Sequence, residues 1–250
     1  MSSSGKTKAG KRSSGKDIHK SKNEKKAAKA QKARGREERA LRKLIVATAL
    51  AMSRSGLSPG RSGNVSARFA DGMLITPTAL AYEDMGPKDI VFVAGDGSVP
   101  DAQRLPSSEW PFHLAAYKAR PDMNAVVHTH SLHAVVLACA RRSIPAFHYM
   151  VAVSGASDIP VLPYATFGSE RLAQTVAHGL ADRQACLMAH HGAIAIGTTL
   201  AEALELAHEV EVLAEQYTKV LAIGPPAVLA EEEMQIVLEK FKDYGRNAGS

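Results

Sequence analysis

Three imidazoles fall within six positions in "HTHSLH" (128–133), directly after the apolar run "NAVV" (124–127). On a strand, side chains two apart share a face and their Cα atoms lie about 6.6 Å apart, so His128 and His130 could meet on one ion or form a hydrogen-bonded pair in a core. A second apolar run broken by imidazole, "LMAHHGAIA" (187–195), tips the balance toward a metal. Because His190 and His191 are adjacent, only one of them can share a face with a site, and periodicity leaves open which. Three neutral imidazole nitrogens suit zinc, which keeps a fourth position for a carboxylate, water or substrate. Glu109 in "PSSEW" is the candidate carboxylate, although alone it would read as a solvated residue in a first helical turn. His113, His133, His148, His178 and His208 read as structural or surface residues; of these, His113 and His133 are the two that could support the site from behind its ligands.

Three small polar stretches could hold an anion beside such an ion. "SPGRSGNVS" (58–66) is a glycine-rich turn before a strand, "TPT" (76–78) ends another strand, and "PSSE" (106–109) opens a helix whose free N–H groups attract negative charge. Each alone is a loop or a cap; together with a metal cluster they suggest a phosphorylated substrate.

The elements that must position these groups can be read from periodicity and punctuation. Helical spacing of Leu41, Leu44, Ile45 and Ala51/Met52 predicts a helix over 37–53, stopped by Gly56. "NVSARFADGMLITP" predicts a hairpin about Asp71-Gly72, and "DIVFVAGDGSV" a further strand and turn. "SSEWPFHLAAYKAR" predicts a helix capped by Ser107 or Ser108 with a proline in its first turn. Strands are expected at "HYMVAVSG", "IPVLPYATFG" and "ACLMAHHGAIAIG", and helices at 169–182, 199–221 and 229–242. The apolar stripe Leu200, Ala203/Leu204, Ala207, Val210, Leu213/Ala214, Tyr217 and Val220/Leu221 belongs to a core. Strands joined by short turns favour a mixed, largely antiparallel sheet covered by helices. There is no internal repeat, no G-x-G-x-x-G fingerprint and no Walker lysine loop, which argues against nucleotide-dependent chemistry.

The charge is divided unevenly. Residues 1–40 hold 14 Lys+Arg against 4 Asp+Glu, so a chain of net charge +6 has a mildly acidic body. Residues 1–36 carry a single large aliphatic side chain after Met1, Ile18, and are expected to be disordered, turning helical from about Asn23. A solvated basic extension is favoured over a nucleic-acid or anionic-surface arm. The extension lacks the apolar core of a secretory signal, and no run reaches the length of a membrane span. Two cysteines, Cys139 and Cys186, each in an apolar stretch, suit buried thiols in a reducing compartment, so a cytoplasmic location is expected.

From about Ala40 to Gly245 the chain resembles the class II aldolase/adducin family, on "GNVSARFADGMLITPT", "LPSSEWPFHLAAYKARPDMNAVVHTHSLH", "RSIPAFHYM", "IPVLPYATFG", "AHHGAIA", "LAHEVEVLAEQY" and "VLEKFKDYG". The resemblance implies a three-layer α/β/α domain over 37–250 with a central mixed, mostly antiparallel sheet, assembled as a homotetramer with active sites at subunit interfaces. It implies one zinc ion per subunit, or another divalent metal, held by His128, His130 and His191, with Glu109 as acidic catalyst and further ligand. Asn64, Thr78, Ser107 and Ser108 match phosphate-holding positions, Tyr149 a proton donor contributed across the interface, and Phe167 and Tyr244 the aldehyde side. The implied reaction is reversible cleavage of a ketose 1-phosphate of the L-fuculose 1-phosphate type, through a metal-stabilised enediolate, into dihydroxyacetone phosphate and an aldehyde.

Two residues depart from the family pattern. Arg61 stands where a small hydroxyl residue is usual, as a bidentate donor to phosphate or an opening for a carboxylate, and Ala79 stands where a glycine is usual. The same site could serve a sugar-phosphate 4-epimerase, a dehydratase or a decarboxylase. A non-catalytic, adducin-like interaction module would need no intact ligand set.

Overall fold

Alternating apolar residues on the strands create two buried faces, and helices cover both. The computed structural model describes the backbone at residues 1, 15–101 and 103–243 and the side chains at 1, 25–101 and 103–242. Among the described residues, seven strands form one sheet: β1 (Asn64–Phe69), β2 (Gly72–Ile75), β3 (Val91–Ala94), β4 (Ala125–Thr129), β5 (Val161–Leu162), β6 (Ala185–Met188) and β7 (Gly192–Gly197). Their spatial order is β3-β2-β1-β4-β7-β6-β5, every neighbouring pair being antiparallel except β5 with β6. Val65, Ala67, Leu74, Val127, Leu187 and Ala195 face one side, against Ile45, Ala49 and Met52 of α1 (Gly15–Arg54), Leu137 of α3 (Leu132–Cys139), and Val210 and Leu213 of α5 (Leu200–Ile223). Met73, Ile75, Val126, Met188, Ile194 and Ile196 face the other, against Phe112 and Tyr117 of α2 (Trp110–Ala119) and Leu172 and Val176 of α4 (Glu170–Gly179). This is the expected α/β/α sandwich. A last helix, α6 (Glu231–Asp243), adds Met234 to the first core.

The chain divides into two units, Met1–Ala40 and Leu41–Ser250. The disorder expected over 1–36 falls, for 2–14, outside the described residues. From Gly15 the backbone is helical, eight residues earlier than the expected onset at Asn23. Ala, Lys, Gln, Glu and Arg dominate "EKKAAKAQKAR" (24–34), and such residues lose little side-chain freedom in a helix even where no apolar face is buried.

Three other expectations are corrected. "HYMVAVSG" is a 3-10 helix, Tyr149–Ser154, rather than a strand: the His148 side chain accepts from Met150 N at its start, and left-handed Gly155 (φ 79°) ends it. "ACLMAHHGAIAIG" is two strands, β6 and β7, paired Met188 to Gly192 around a three-residue turn. Cys139 is exposed, whereas Cys186 is buried; both are free thiols.

Candidate metal centre

The site is assembled at one end of the three central strands β1, β4 and β7. Asn64 opens β1 and pairs with His128 near the end of β4, while Thr129 pairs with Ala193 at the start of β7. Gly192 is required at this junction, because a Cβ there would lie 2.2 Å from the Thr129 carbonyl oxygen and 3.2 Å from the His130 ring. Its absence lets the β6–β7 turn approach β4 closely enough to set His191 beside the other two imidazoles. In that turn His191 N donates to Met188 O (3.0 Å) and His190 adopts the left-handed conformation (φ 56°). The kink separates the adjacent pair: His190 Nε2 accepts from exposed Arg141 (3.2 Å), whereas His191 Nε2 lies 2.8 Å from Glu109 Oε1.

Glu109, His128, His130 and His191 each offer a ligand atom, and these atoms all lie within 4.8 Å of one another. The three ring centroids are 4.8, 4.8 and 5.0 Å apart, with planes inclined at 73–75°. His128 Nδ1 donates to the Ala193 carbonyl (2.8 Å), which leaves its Nε2 with a bare lone pair. That lone pair faces His130 Nε2 at 2.9 Å and Glu109 Oε2 at 3.1 Å. Acceptors pointed at acceptors in a buried pocket repel unless a cation lies among them, so the donor set fits a divalent metal, and its imidazole and carboxylate chemistry fits zinc.

Glu109 is not a solvated first-turn residue. It occupies the N-cap of α2, ahead of Trp110 and Pro111, and its side chain turns to the histidines instead of capping the helix. Ser107 Oγ, 3.3 Å from Glu109 N, receives that backbone donor. With protons in place of a metal on the facing nitrogens of His128 and His191, burial raises the Glu109 pKa, but their charge attraction and hydrogen bonds outweigh it and hold the carboxyl well below its ordinary range. His130 is pushed down to about 3, by burial first and then by the neighbouring imidazoles.

His113, one helical turn from Glu109, is fully buried and stacks on Phe112 at 4.8 Å. Burial, with a smaller contribution from His128, lowers its pKa from 6.5 to about 3. The unfolded chain therefore takes up a proton below pH 6.5 that the native protein refuses until about pH 3. Stability falls across that window as pH drops, by about 1.4 kcal/mol per pH unit for this one group. Urea denaturation of the metal-free protein between pH 6.5 and 5 should show a slope to which His130, lowered likewise, also contributes, and His113→Gln should be shallower than the wild type by about the amount for one group; equal slopes would refute it.

A cleft adjoins the ligand cluster, lined by Arg61, Asn64, Thr78, Ser107, Ser108, Glu109, His130, Phe167 and His191 among others. The loops are pinned side by side: Thr78 N donates to Leu105 O (3.1 Å) and Ser107 N to Thr76 O (3.0 Å). The two departures from the family pattern meet here. Ala79 is left-handed (φ 58°), keeping a backbone that glycine would adopt without strain, and Arg61 Nη1 donates to its carbonyl at 3.1 Å. Asn64 lines the cleft, and its Nδ2 donates one hydrogen to Glu109 Oε2 (2.8 Å). Phe167 is exposed at the mouth, beside Tyr164, which sequence reasoning missed. Tyr149 is also exposed, stacked on His148, and does not line this cleft; Tyr244 lies outside the described residues. Among the described residues no helix is long and apolar enough to cross a membrane.

Residues 43–218 match the family model of the class II aldolase and adducin N-terminal domain. The chain is 52% identical over 210 residues to L-fuculose phosphate aldolase of Escherichia coli strain K12, covering 84% of this chain and 97% of that one. It is 52% identical over 205 residues to the 5-methylthioribulose-1-phosphate/5-deoxyribulose-1-phosphate aldolase of Escherichia coli O45:K1, covering 82% and 96% respectively. Among solved structures, an L-fuculose 1-phosphate aldolase superposes with a TM-score of 0.78 at 37% identity, over 81% of this chain and 96% of the other.

Proposed function

The chain belongs to the class II aldolase and adducin family and is a lyase of the aldolase type, and from that premise we propose that it is a zinc-dependent enzyme cleaving a ketose 1-phosphate reversibly into dihydroxyacetone phosphate and an aldehyde. The observation that carries this reading is the convergence of Glu109, His128, His130 and His191 beside a cleft edged by Ser107, Ser108 and Thr78. Two relatives at equal identity are named for phosphates of different ketoses, and a solved structure similar to this chain is named for L-fuculose 1-phosphate. The shared headgroup matches the polar end of the cleft, and the differing tails leave the aldehyde as the variable part.

Zinc, when bound by the three histidines, would supply Lewis-acid polarisation of the ketose carbonyl and stabilise the charge that builds on its oxygen. Ser107, Ser108 and Thr78 hold the phosphate, with Arg61 as an added guanidinium donor at the rim. Glu109 exchanges the proton on the dihydroxyacetone phosphate carbon. Burial, which by itself raises its pKa, makes the carboxylate a stronger base for that step. Tyr149, remote from its own cleft, would donate to the aldehyde oxygen in a neighbouring copy, within a homotetramer that Phe167 and Tyr244 complete on the aldehyde side. The catalytic domain spans 37–250, the basic extension lies outside it, and the enzyme works in the cytoplasm.

A panel of L-fuculose 1-phosphate, 5-methylthioribulose 1-phosphate and their unphosphorylated ketoses tests this. Dihydroxyacetone phosphate should appear from the phosphates alone, cease after chelation and return with zinc. Cleavage undiminished after complete metal removal, or an epimerised, dehydrated or decarboxylated product seen by NMR without dihydroxyacetone phosphate, would overturn it.

A further inference from the structure

Behind Glu109 the second core contains a continuous run of polar groups that metal ligation does not use. Asn64 and Ser66 are two apart on β1 and so share a face; Glu109, His113 and Tyr117 are spaced by four along the start of α2 and so share a stripe. The two rows meet inside the protein. His113 Nε2 is hydrogen-bonded to Asn64 Oδ1, His113 Nδ1 lies 2.7 Å from Ser66 Oγ, and Ser66 Oγ lies 2.9 Å from the Tyr117 hydroxyl. All are buried: Ser66 and His113 are at 0% exposure, Tyr117 at 2% and Asn64 at 3%.

The direction of every bond follows from the carboxylate at the end. Glu109 can only accept, so Asn64 presents its NH2 to it and its carbonyl to His113. His113 must then carry its proton on Nε2, leaving a lone pair on Nδ1 that requires the Ser66 hydroxyl hydrogen. Ser66 oxygen is left to accept from Tyr117. Rotating any one member reverses a neighbour, and the cost of an unpaired polar group in this core opposes it. The far end is anchored as well. Arg68 stacks on the Tyr117 ring at 4.9 Å and donates to the carbonyls of Tyr117, Arg120 and Met123.

We propose that Tyr117, Ser66, His113 and Asn64 form a one-way hydrogen-bond line that orients the Glu109 carboxylate, and that His113 is a positioning residue for the reaction. The line holds Oε2 toward His128 and leaves Oε1 to His191, so the carboxylate returns to one orientation after each proton transfer. This rests on the reading of Glu109 as the group that handles the carbon-bound proton.

Two variants of His113 separate this role from packing. In His113→Gln the amide nitrogen can still donate to Asn64, whereas His113→Phe fills the space and donates nothing. For the zinc-loaded protein we expect His113→Phe to lower kcat by about 10–100-fold, the usual range for a group behind a metal ligand, with KM little changed, and His113→Gln to restore most of the loss. In the metal-free protein, 15N NMR of labelled histidine should show His113 as the neutral Nε2–H tautomer, and Tyr117→Phe should move its Nδ1 resonance. A folded His113→Phe with wild-type kcat, a Gln variant no better than Phe, or an Nδ1–H tautomer would each overturn the line. If the Phe variant does not fold, the tautomer and the Tyr117→Phe shift still decide. Absence of aldolase activity in the wild type would defeat the proposed function instead, and the NMR result would stand on its own.

Discussion

Glu109→Gln is expected to lower turnover of the zinc-loaded enzyme by about 10²–10⁴-fold, the range typical of losing a positioned general acid or base, while leaving the fold and assembly in place. The substitution is nearly isosteric, so packing against Phe112 and the α2 N-terminus should persist. It removes a charge from a position only 6% exposed, where a carboxylate is tolerated because His128, His191 and Asn64 surround it. Removing one member of a buried charged set costs about 3–5 kcal/mol where its partners stay charged, but neutral imidazoles leave no charge unpaired and can still hydrogen-bond the amide, so the fold should persist. Dihydroxyacetone phosphate release, and deuterium exchange into dihydroxyacetone phosphate without any aldehyde, read the defect at two points. Both should fall together, because both need the same proton transfer at the same carbon. Analytical ultracentrifugation should show the wild-type assembly. A variant retaining more than about a tenth of the wild-type exchange rate would remove Glu109 from the proton transfer, since that loss falls short of the smallest expected for a general base. A non-catalytic interaction module would show no difference in any of these measurements.

How far the sequence foretells such a site depends on whether the chemistry is local or built by the fold. The pair His128 and His130 is legible because period two is a local property of a strand, and β4 runs Ala125–Thr129, with His130 one residue beyond its end. The two-faced sheet was legible for the same reason: Val126 against Val127, and Ile194 against Ala195, alternate between the two cores. The end of β6 was not. Nothing in "MAHHGA" states that the chain turns before Gly192 and not at it, because the turn depends on β7 approaching Thr129 O across the sheet. The resemblance places Asn64 at the phosphate, and nothing local in the sequence shows that its amide also lies 2.8 Å from a carboxylate 45 residues away. The signal that could have shown it was the pairing of two rows, N-x-S on a strand and E-x3-H-x3-Y on a helix, each placing polar groups where an apolar face should run. Tyr149 illustrates the complementary case: the part proposed for it depends on a neighbouring copy, and the single chain holds it exposed.

His191→Asn should abolish stoichiometric metal binding, whereas His190→Asn should retain the metal. Adjacent histidines in one turn make this the sharpest contrast the site offers, because composition and local sequence are almost identical in the two variants. His191 Nε2 faces the carboxylate that completes the ligand set, and its ring meets those of both His128 and His130 at 4.8 and 5.0 Å. Asparagine is too short to bring a nitrogen to the same point, and three ligands would remain where four converge. The expected loss of zinc affinity exceeds the roughly 10–100-fold that follows removal of a group merely supporting a ligand, so zinc should be lost on gel filtration and aldol cleavage with it. At His190 asparagine is well suited to the left-handed backbone, φ 56°, and only the exposed contact with Arg141 is removed. Zinc content by atomic absorption after exhaustive dialysis distinguishes the outcomes. Metal retained by His191→Asn and lost by His190→Asn would mean that the turn presents the other imidazole to the ion, and the orientation argued from the left-handed kink would be wrong.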